Sequence, residues 1–385
     1  MKNQEQISST SKSNKVLIFL ARFLVGAVFA FSGFVKAVDP LGSCYKFTDY
    51  FNLAFDMPWM SEFALPLAFL LSALEFTTGI MLIFNLKPRW AVWFAFSFMV
   101  VFLPITLYIA LKNPVHDCGC FGDALVLDNW TTFYKNVVLT LIILYLIFNR
   151  KKMDNPLSDN AELGIAFAVF LIAIVFQHFM LRHLPILDFR PYKIGNNIAE
   201  KMAIPEGAKR DVYASELTYK NSVTGEVKVV TDKELMDNKY LYEDSTWVWQ
   251  DTKSILLEKG FQPEIHDFTI TDTAGTDYAQ QVLNFEKPVL LVITHKLEKS
   301  DTDGLDILSH LQTYAQKHDY IILGLTSSNW DYIEQIKSEY SVDFPFFQTD
   351  DITLKTIVRA NPGIVKLEKG TVTGKWNFRD FKYDK

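Results

Sequence analysis

Two cysteines separated by a single glycine are the residues of this sequence whose type and spacing best suit chemistry. Cys118-Gly119-Cys120 lies within the segment HDCGCFGD. Two thiols this close can cycle between dithiol and disulfide, and a bridge across one residue closes a small, strained ring that is easier to reduce. Gly119 supplies the backbone freedom that such a ring demands. The pattern predicts a redox-active pair formed by Cys118 and Cys120.

The same residues also allow two other interpretations. The third cysteine of the chain, Cys44, lies in the segment DPLGSCYKF. It could resolve a mixed disulfide formed by the pair, or it could bridge one of the two as a structural staple. Thiolate and imidazole ligands also suit zinc or copper, and His116, Cys118 and Cys120, with Asp117 beside them, would supply such a set. We expect no metal and keep this ligand set as the alternative.

The elements that must position these residues divide into two halves of different composition. The chain has 385 residues, enough for two domains, and its hydrophobic fraction is 49%. Most long apolar runs lie before residue 181 and most acidic residues lie after it, which indicates two solvents rather than one soluble core. The net charge of -6 gives no basic surface, so we expect no nucleic-acid partner.

Five apolar runs in the first half predict a bundle of transmembrane helices. They cover residues 15–35, 63–85, 89–111, 132–149 and 163–181. Each run reaches the ~17–25 residues that a helix needs to cross the hydrocarbon core. Backbone polar groups in lipid must bond within their own segment, so these runs are predicted to be helices. The lipid bilayer is therefore a predicted partner.

The distribution of Lys and Arg at the span ends predicts the orientation. The richer side carries Lys2, Lys12, Lys15, Lys87, Arg89, Arg150, Lys151 and Lys152. The opposite loops hold mainly Lys36, Lys46 and Lys112. Because the richer side is normally cytoplasmic, the N-terminus 1–14 should lie inside. The odd number of spans then puts the three cysteines and everything after residue 181 outside.

Two charged residues fall inside the predicted spans. Arg22 lies in the first span, and Glu75 lies at a similar depth in the second. An unpaired charge there costs at least ~2.5–3.5 kcal/mol on insertion scales, so we expect the two to pair between adjacent antiparallel helices. The pair could fix the helix register, or it could handle protons or bind a quinone headgroup. Lys36, at the outer end of the first span, can extend to the surface and needs no function.

The second half is predicted to contain a juxtamembrane α+β linker region, 182–262, and an α/β domain, 263–385. In the linker region, two strands flank the turn Ser222–Gly225, and Asp251–Gly260 is predicted to be a short helix. In the domain, continuous apolar strands alternate with helices and end in a hairpin. That order predicts βαβ units with a mostly parallel sheet closed by an antiparallel hairpin.

A set of residues in the first two spans and around the cysteines has the pattern of a known family: Arg22, Gly33, Lys36, Asp39, Pro40, Glu75 and Cys118 to Gly122. With these residues, the segment 15–150 resembles the DoxX-like membrane proteins, and within them the MauE-type (methylamine utilisation) branch. The resemblance implies a quinone- or thiol-linked electron-transfer role at the outer face of a bacterial membrane. MauE-type proteins are associated with maturing disulfide-rich periplasmic subunits. This chain adds a fifth span, 163–181, and a long soluble tail.

The second half carries its own pattern in the segment PEIHDFTITDTAG and in Asn361-Pro362 before the strand GIVKLEKG. With these residues, 263–385 resembles a thioredoxin-like fold of the TlpA and peroxiredoxin-like type, in which Pro362 stands at the cis-proline position. The family's Cys-x-x-Cys would follow PVLLVIT, where this chain has Thr294–Lys299 and no cysteine. The domain is therefore expected to lack dithiol chemistry of its own. His295, a lone histidine in this loop, is expected to be solvated.

The predicted fold is an α-helical transmembrane bundle, a four-helix DoxX-like unit plus a fifth span, followed by an α/β thioredoxin-like soluble domain. The predicted function is thiol-disulfide redox chemistry or electron transfer at the periplasmic face of a bacterial inner membrane, with Cys118 and Cys120 as the redox pair. The thioredoxin-like domain would dock a periplasmic protein partner. No cofactor is required by the sequence, and a membrane quinone is the candidate electron partner.

Two other functions stay open. An attacking thiolate needs a depressed pKa, which the acidic neighbours Asp117 and Asp123 do not provide. A non-enzymatic scaffold for envelope assembly, in which the cysteines only brace a loop, is the first alternative, so the sequence leaves open whether the protein is an enzyme. A small-solute transporter is the second, although the sequence contains neither an inverted repeat nor a broken helix.

Overall fold

The computed structural model describes residues 2–115, 117–153, 157–209, 212–258 and 260–383, with side chains from residue 14 onwards. Five of the described helices are long and apolar enough to cross a membrane: Asn14–Val38, Pro58–Phe84, Pro88–Lys112, Asn129–Lys152 and Asp159–Arg182. These helices confirm the five predicted spans, and the chain is a multi-pass membrane protein.

The α-helices of the first half, as far as the chain is described, comprise the spans and one shorter helix. They are α1 (Lys2–Val38), α2 (Pro40–Asp49), α3 (Ala64–Phe84), α4 (Pro88–Lys112), α5 (Asn129–Asn149) and α6 (Asp159–Arg182). The short helix α2 lies in the connection between the first two spans. Asp39 caps its N-terminus by accepting a hydrogen bond from the backbone N–H of Gly42 at 2.9 Å. The first turn contains Pro40, whose missing N–H is not needed there.

Small residues set the register between the first two spans. A Cβ atom added at Gly33 on α1 would lie 2.3 Å from the backbone nitrogen of Phe76 on α3. One added at Gly79 on α3 would lie 2.2 Å from the backbone nitrogen of Ala30. Only glycine permits these backbones to approach so closely, as is common between membrane helices. The two contacts fix α1 and α3 antiparallel, with Gly33 level with Phe76.

This register contradicts the predicted Arg22–Glu75 pair. Glu75 pairs instead with Lys36, whose Nζ lies 2.7 Å from Glu75 Oε2. Arg22 lies three helical turns before Gly33, about 17 Å along the axis at 1.5 Å per residue, so it cannot reach Glu75. Among the described residues, Arg22 Nη1 is buried without a hydrogen-bond partner. The expectation that Lys36 extends to the surface is also wrong, because its side chain is buried.

Residues 197–268 form a compact unit of their own. This unit contains α7 (Ile198–Met202), β1 (Val212–Asn221), β2 (Val227–Thr231), α8 (Asp232–Asp237), α9 (Tyr240–Glu243) and β3 (Trp247–Glu258). Both β2 and β3 pair antiparallel with β1, so the strand order is β2-β1-β3. The predicted hairpin is confirmed, because β1 and β2 flank residues 222–225 and pair with each other.

The short helix predicted over Asp251–Gly260 is wrong, because residues up to Glu258 belong to β3. The ladder between β1 and β3 runs from the Val212–Glu258 pair to the Asn221–Trp247 pair. Pairing along the whole strand outweighs the local helix preference of this segment, since strand formation depends mainly on cross-strand neighbours.

The second sheet belongs to the same unit as the membrane helices. Its elements are α10 (Ala279–Leu283), β4 (Val289–Thr294), α11 (Thr302–Asp306), α12 (Leu308–Lys317), β5 (Ile321–Thr326), α13 (Trp330–Glu339), β6 (Phe346–Gln348), α14 (Asp351–Ile357), β7 (Gly363–Glu368) and β8 (Thr371–Asn377). The strand order is β6-β5-β4-β7-β8. Strands β4, β5 and β6 are parallel, whereas β7 and β8 form an antiparallel hairpin. The predicted parallel strands and closing hairpin are confirmed.

The segment that follows the last span lies along this sheet. The backbone N–H of Gly195 donates to Val372 O at 2.8 Å, and the N–H of Val372 donates to Asn196 O at 2.9 Å. Lys375 on β8 also forms an ion pair of 2.6 Å with Asp188. Backbone pairing and a buried lysine therefore tie the end of the membrane half to strand β8.

The loop after β4 corrects the expectation that His295 is solvated. His295 is 6% exposed, and its Nε2 lies 2.9 Å from Val358 O. Burial lowers the pKa of His295 to about 4, so the imidazole is neutral at pH 7. The peptide bond Asn361–Pro362 is cis, and Asn361 Nδ2 donates to Lys296 O at 3.1 Å. The loop therefore packs against the connection between α14 and β7 instead of pointing into water.

Candidate redox site at the cysteine loop

The loop between α4 and α5, residues 113–128, carries Cys118 and Cys120. Asn129 closes the base of this loop, because its amide nitrogen donates to Asn113 Oδ1 at 2.8 Å and to Val115 O at 3.0 Å. Both ends of the loop are therefore fixed to the first turn of α5. A loop held in this way can present its side chains in one arrangement.

The two thiols are free and half-buried. The backbone N–H of Cys120 donates to Cys118 Sγ at 3.3 Å. Gly119 between them has a φ of +62°, in the left-handed region that glycine adopts without strain. A Cβ atom at Gly119 would lie 3.0 Å from the side chain of Lys46. The turn at Gly119 thus brings the second cysteine's amide onto the first cysteine's sulfur.

Two helices hold the backbone of the pair from opposite sides. Tyr50, immediately after α2, donates its hydroxyl to Cys118 O. Ser32 on α1 donates its hydroxyl to Cys120 O at 2.7 Å. The cysteine turn is therefore anchored through its carbonyl groups, which leaves both sulfur atoms available for chemistry.

The two acids that counted against a reactive thiol are both paired with cations. Asp117 lies 2.6 Å from Lys46 Nζ on α2, and its other oxygen accepts the N–H of Gly119 at 2.8 Å. Asp123 lies 3.1 Å from Arg359 Nη2. Because each carboxylate has a cationic partner, their negative charge no longer opposes a thiolate at this turn.

The two thiols differ in their ease of ionisation. The hydrogen bond from Cys120 lowers the pKa of Cys118 to about 6, with help from the backbone N–H of Cys120 and the charge of Lys135. The same hydrogen bond, together with burial, raises the pKa of Cys120 well above its ordinary value. Cys118 is therefore the thiolate at pH 7 and Cys120 the protonated thiol, the arrangement of a nucleophile and its resolving partner.

A cavity of about 180 Å³ lies between the spans and is lined by both cysteines. Its walls include six phenylalanines: Phe29, Phe47, Phe51, Phe55, Phe102 and Phe121. Polar groups of Ser32, Lys36, Glu75 and Lys135 also reach it. A mostly apolar, aromatic cavity with a few polar groups is typical of a site for a small, flat, lipophilic ligand.

A polar network connects the cavity to the cysteine turn. Lys36 Nζ donates to Glu75 Oε2 at 2.7 Å and to Ser32 Oγ at 3.0 Å. Ser32 Oγ lies 3.0 Å from the same carboxylate oxygen and 2.7 Å from Cys120 O. Lys36, Ser32 and Glu75 therefore form one hydrogen-bonded group that ends at the backbone of Cys120.

Comparison with known proteins covers the part of the chain that builds this site. Residues 14–149 match the family model of the methylamine utilisation protein MauE. The matched segment contains the first four spans, α2 and the cysteine loop, and it ends before α6. No curated protein and no solved structure matches the chain significantly.

The MauE-matched segment brings some of the predicted site residues together and separates others. Cys118, Cys120 and Glu75 line the same cavity, whereas Arg22 is not among its lining residues. Cys44 lies on α2 about 100° around the helix from Ser43, a neighbour that does line the cavity. Burial raises the pKa of Cys44, so Cys44 is less suited than Cys118 to attack.

The described residues include only part of the alternative metal site. His116, one of its proposed ligands, lies outside the described residues. Among the described residues, no group of three His, Cys, Asp or Glu side chains is arranged to hold a metal ion.

Four residues of the site were not singled out from the sequence as functional: Ser32, Lys36, Lys46 and Lys135. Ser32 and Lys36 are four residues apart on α1, a spacing that places two side chains on one helix face. That spacing was a signal available in the sequence. Lys135 on α5 lies over the ring of Phe121, with its Nζ 4.3 Å from the ring centroid. No local pattern in the sequence indicates that contact.

Arg359 lies beyond the MauE-matched segment and contacts the cysteine loop. Arg359, in the connection between α14 and β7, binds Asp39 Oδ2 through Nε at 2.8 Å and Asp123 through Nη2 at 3.1 Å. Its guanidinium also lies 5.3 Å from the ring centroid of Tyr45 on α2. The C-terminal sheet domain therefore contacts the loops on both sides of the cysteine turn.

Proposed function

We propose that the protein is a membrane thiol-disulfide oxidoreductase component, in which Cys118 and Cys120 pass electrons from a partner protein to a membrane quinone. The observation that carries the proposal is that both thiols line an aromatic cavity between the spans. A soluble disulfide exchanger needs no such cavity. A thiol pair that exchanges electrons with a carrier dissolved in the bilayer does need one.

The reaction divides into two balanced steps. A partner thiolate attacks the Cys118–Cys120 disulfide, and the mixed disulfide resolves to a partner disulfide and the Cys118/Cys120 dithiol. The reduced pair, a Cys118 thiolate and a Cys120 thiol, then gives two electrons and one proton to the quinone, which takes its second proton from water and becomes a quinol as the S–S bond forms again. The low pKa of Cys118 favours the attack of its thiolate in the second step, and the proton held by Cys120 leaves with the electrons.

The lining of the cavity supports a quinone as the electron acceptor. The phenylalanines offer flat apolar contacts, whereas Lys36 and Lys135 offer donors to a carbonyl oxygen or to the negative charge that builds on it during reduction. Glu75 keeps Lys36 inside the membrane by pairing with it. The MauE match supports a role in this class, and the word methylamine in that family's name identifies no substrate of this chain.

The C-terminal domain is proposed to be thioredoxin-like. The strand order β6-β5-β4-β7-β8, with β4 in the centre, supports this fold. The loop after β4 contains no cysteine, so the domain leaves the thiol chemistry to Cys118 and Cys120, and docking of a periplasmic protein partner is its proposed role. The distribution of Lys and Arg supports a bacterial inner-membrane location with this domain in the periplasm.

Tagging of the thiols in intact membranes tests the proposal. Membranes treated with dithiothreitol or with a quinone are labelled with a maleimide mass tag, and Cys118 and Cys120 are expected to change together between two free thiols and none. A Cys120→Ser variant is expected to retain a partner as a mixed disulfide on Cys118, and Cys44→Ser is the matched control. Full function of a Cys118→Ser/Cys120→Ser variant in cells would contradict the proposal and favour the scaffold.

A further inference from the structure

Arg359 is an unusual residue for a domain surface, because it is almost completely buried and makes two ion pairs. Its side chain is 8% exposed. Its partners, Asp39 and Asp123, are 320 and 236 residues away in the sequence. Removing one member of a buried charged cluster leaves the other members buried without their counter-charge, which destabilises the fold.

Each partner of Arg359 supports the cysteine turn from a different side. Asp39 caps α2, and α2 carries Lys46, which binds Asp117. Asp123 lies three residues after Cys120, in the short turn Gly122–Ala124. The guanidinium group of Arg359 therefore connects α2, which binds Asp117 before the two cysteines, to the residues that follow Cys120.

The contacts around Arg359 leave little space for movement. A Cβ atom at Gly42 would lie 2.5 Å from Asp39 Oδ2 and 3.0 Å from Arg359 Nη2. Lys355, one turn earlier, places its Nζ 4.9 Å from the ring centroid of Tyr45. Burial alone would raise the pKa of Asp39, but Arg359 and its neighbours hold that pKa below its ordinary value. Geometry and charge both indicate a fixed junction.

We infer that Arg359 is a positioning residue for the thiol pair, and that the C-terminal domain acts as an internal brace that holds the cysteine turn and neutralises Asp123. The inference rests on the proposed function of the pair. It gives the cysteine-free domain a role toward the membrane half that does not depend on any other protein. The connection between α14 and β7 contacts the loops of the membrane half through Arg359.

The test uses the charge state of Cys118, so the groups around that thiol matter. Its own loop contributes Cys120 and Asp117. The helix α2 contributes Lys46, and Tyr50 follows that helix. The spans contribute Lys36 from α1, Glu75 from α3 and Lys135 from α5. Arg359 and Asp123 add one cation and one anion at the end of the turn. Loss of Arg359 alone changes this balance toward negative charge.

The experiment measures the rate of Cys118 alkylation against pH in the full-length protein in lipid vesicles, with residue-resolved mass spectrometry of the labelled peptide. Arg359→Ala is expected to raise the midpoint by about 0.5 pH unit, because Asp123 loses its cation in a partly solvated site. Alkylation at pH 5 is then expected to slow about threefold. Arg359→Lys should raise the midpoint less than Arg359→Ala does. The reversal is only partial, since one ammonium group pairs with only one carboxylate.

Two further variants keep the test decisive. Asp39→Asn/Arg359→Gln leaves only Asp123, 39% exposed, without its cation, so it should fold and show the same raised midpoint. Arg379→Ala removes another arginine–aspartate pair of the domain, with Asp301, and should leave the midpoint unchanged. An unchanged midpoint in both Arg359→Ala and Asp39→Asn/Arg359→Gln would overturn the inference that the domain braces the cysteine turn. Failure of the pair to cycle in the unmodified protein would instead overturn the proposed function, whatever the Arg359 variants show.

Discussion

The cysteine loop, 113–128, and the loop after β4, residues 295–300, use polar residues in opposite ways. The first surrounds two ionisable thiols with Lys46 and Lys135 and borders an open cavity. The second buries one of its ionisable residues, His295, against a backbone carbonyl and keeps it neutral. A reactive site needs both space for a ligand and charge to stabilise an intermediate. The first loop offers both to its two thiols, whereas the second contains no cysteine, so we propose that the thiol chemistry belongs to the membrane half.

The largest expected effect is a complete loss of activity from a substitution in the cysteine loop and no loss from one in the loop after β4. Cys118→Ser should abolish dithiol-dependent reduction of a short-chain quinone by the protein in vesicles, because no disulfide can form. His295→Ala should leave this activity unchanged, since the imidazole lies in the other loop. Quinol absorbance measures the rate, and equal loss in both variants would contradict the division of roles.

The next effect concerns the intramembrane charges. Glu75→Gln leaves Lys36 buried without its carboxylate, so we expect a loss of about 3–5 kcal/mol of stability, measured by thermal denaturation in detergent. Arg22→Leu is the matched control and should cost nothing, because the guanidinium has an unsatisfied buried nitrogen among the described residues. A larger loss for Arg22→Leu than for Glu75→Gln would mean that the helix register is different.

A smaller effect is expected for His295 on the C-terminal domain. Loss of its hydrogen bond to Val358 O in His295→Ala should cost about 1–3 kcal/mol. The folded-state pKa of about 4 lies below the ordinary 6.5, so the unfolded chain binds more protons between these values. The unmodified protein should therefore lose stability as the pH falls from 6.5 towards 4. Chemical denaturation against pH should show that this component is absent from the variant.

The smallest effect is expected for the charge of Lys135. The rate of Cys118 alkylation should rise through a midpoint near pH 6, because the thiolate forms above that pH. Lys135→Gln should raise the midpoint by about 0.5 pH unit, and Lys135→Arg should keep it in place. A midpoint near 9 in the unmodified protein would show that the cations do not act on this thiol.

The predictions that held rest on local patterns, and those that failed depend on distant contacts. Apolar length located the five spans, whereas the redox role predicted from the spacing of Cys118 and Cys120 stays a prediction. The Arg22–Glu75 pair failed because the register of α1 against α3 is set by the close approach at Gly33 and Gly79, not by the depth of the charges. The helix predicted after residue 251 failed because pairing with β1 decides that segment.

The contact of Arg359 with the cysteine loop shows most clearly what local sequence patterns cannot predict. Asp39 caps α2 and Asp123 stands in the short turn Gly122–Ala124, positions where an acid is usually solvated. Arg359 follows a helix of the C-terminal domain and has no charged residue of opposite sign next to it in the sequence. Only the folded chain brings the three together, so no spacing rule predicts the junction.

A single-turnover titration tests the central claim most directly. The fully reduced protein in lipid vesicles is mixed without oxygen with a quinone, and quinol and the thiols of Cys118 and Cys120 are counted at each addition. We predict one quinol formed for each pair of thiols lost, with Cys44 unchanged. Quinone that leaves both thiols free, or a loss of thiols without quinol, would contradict the account.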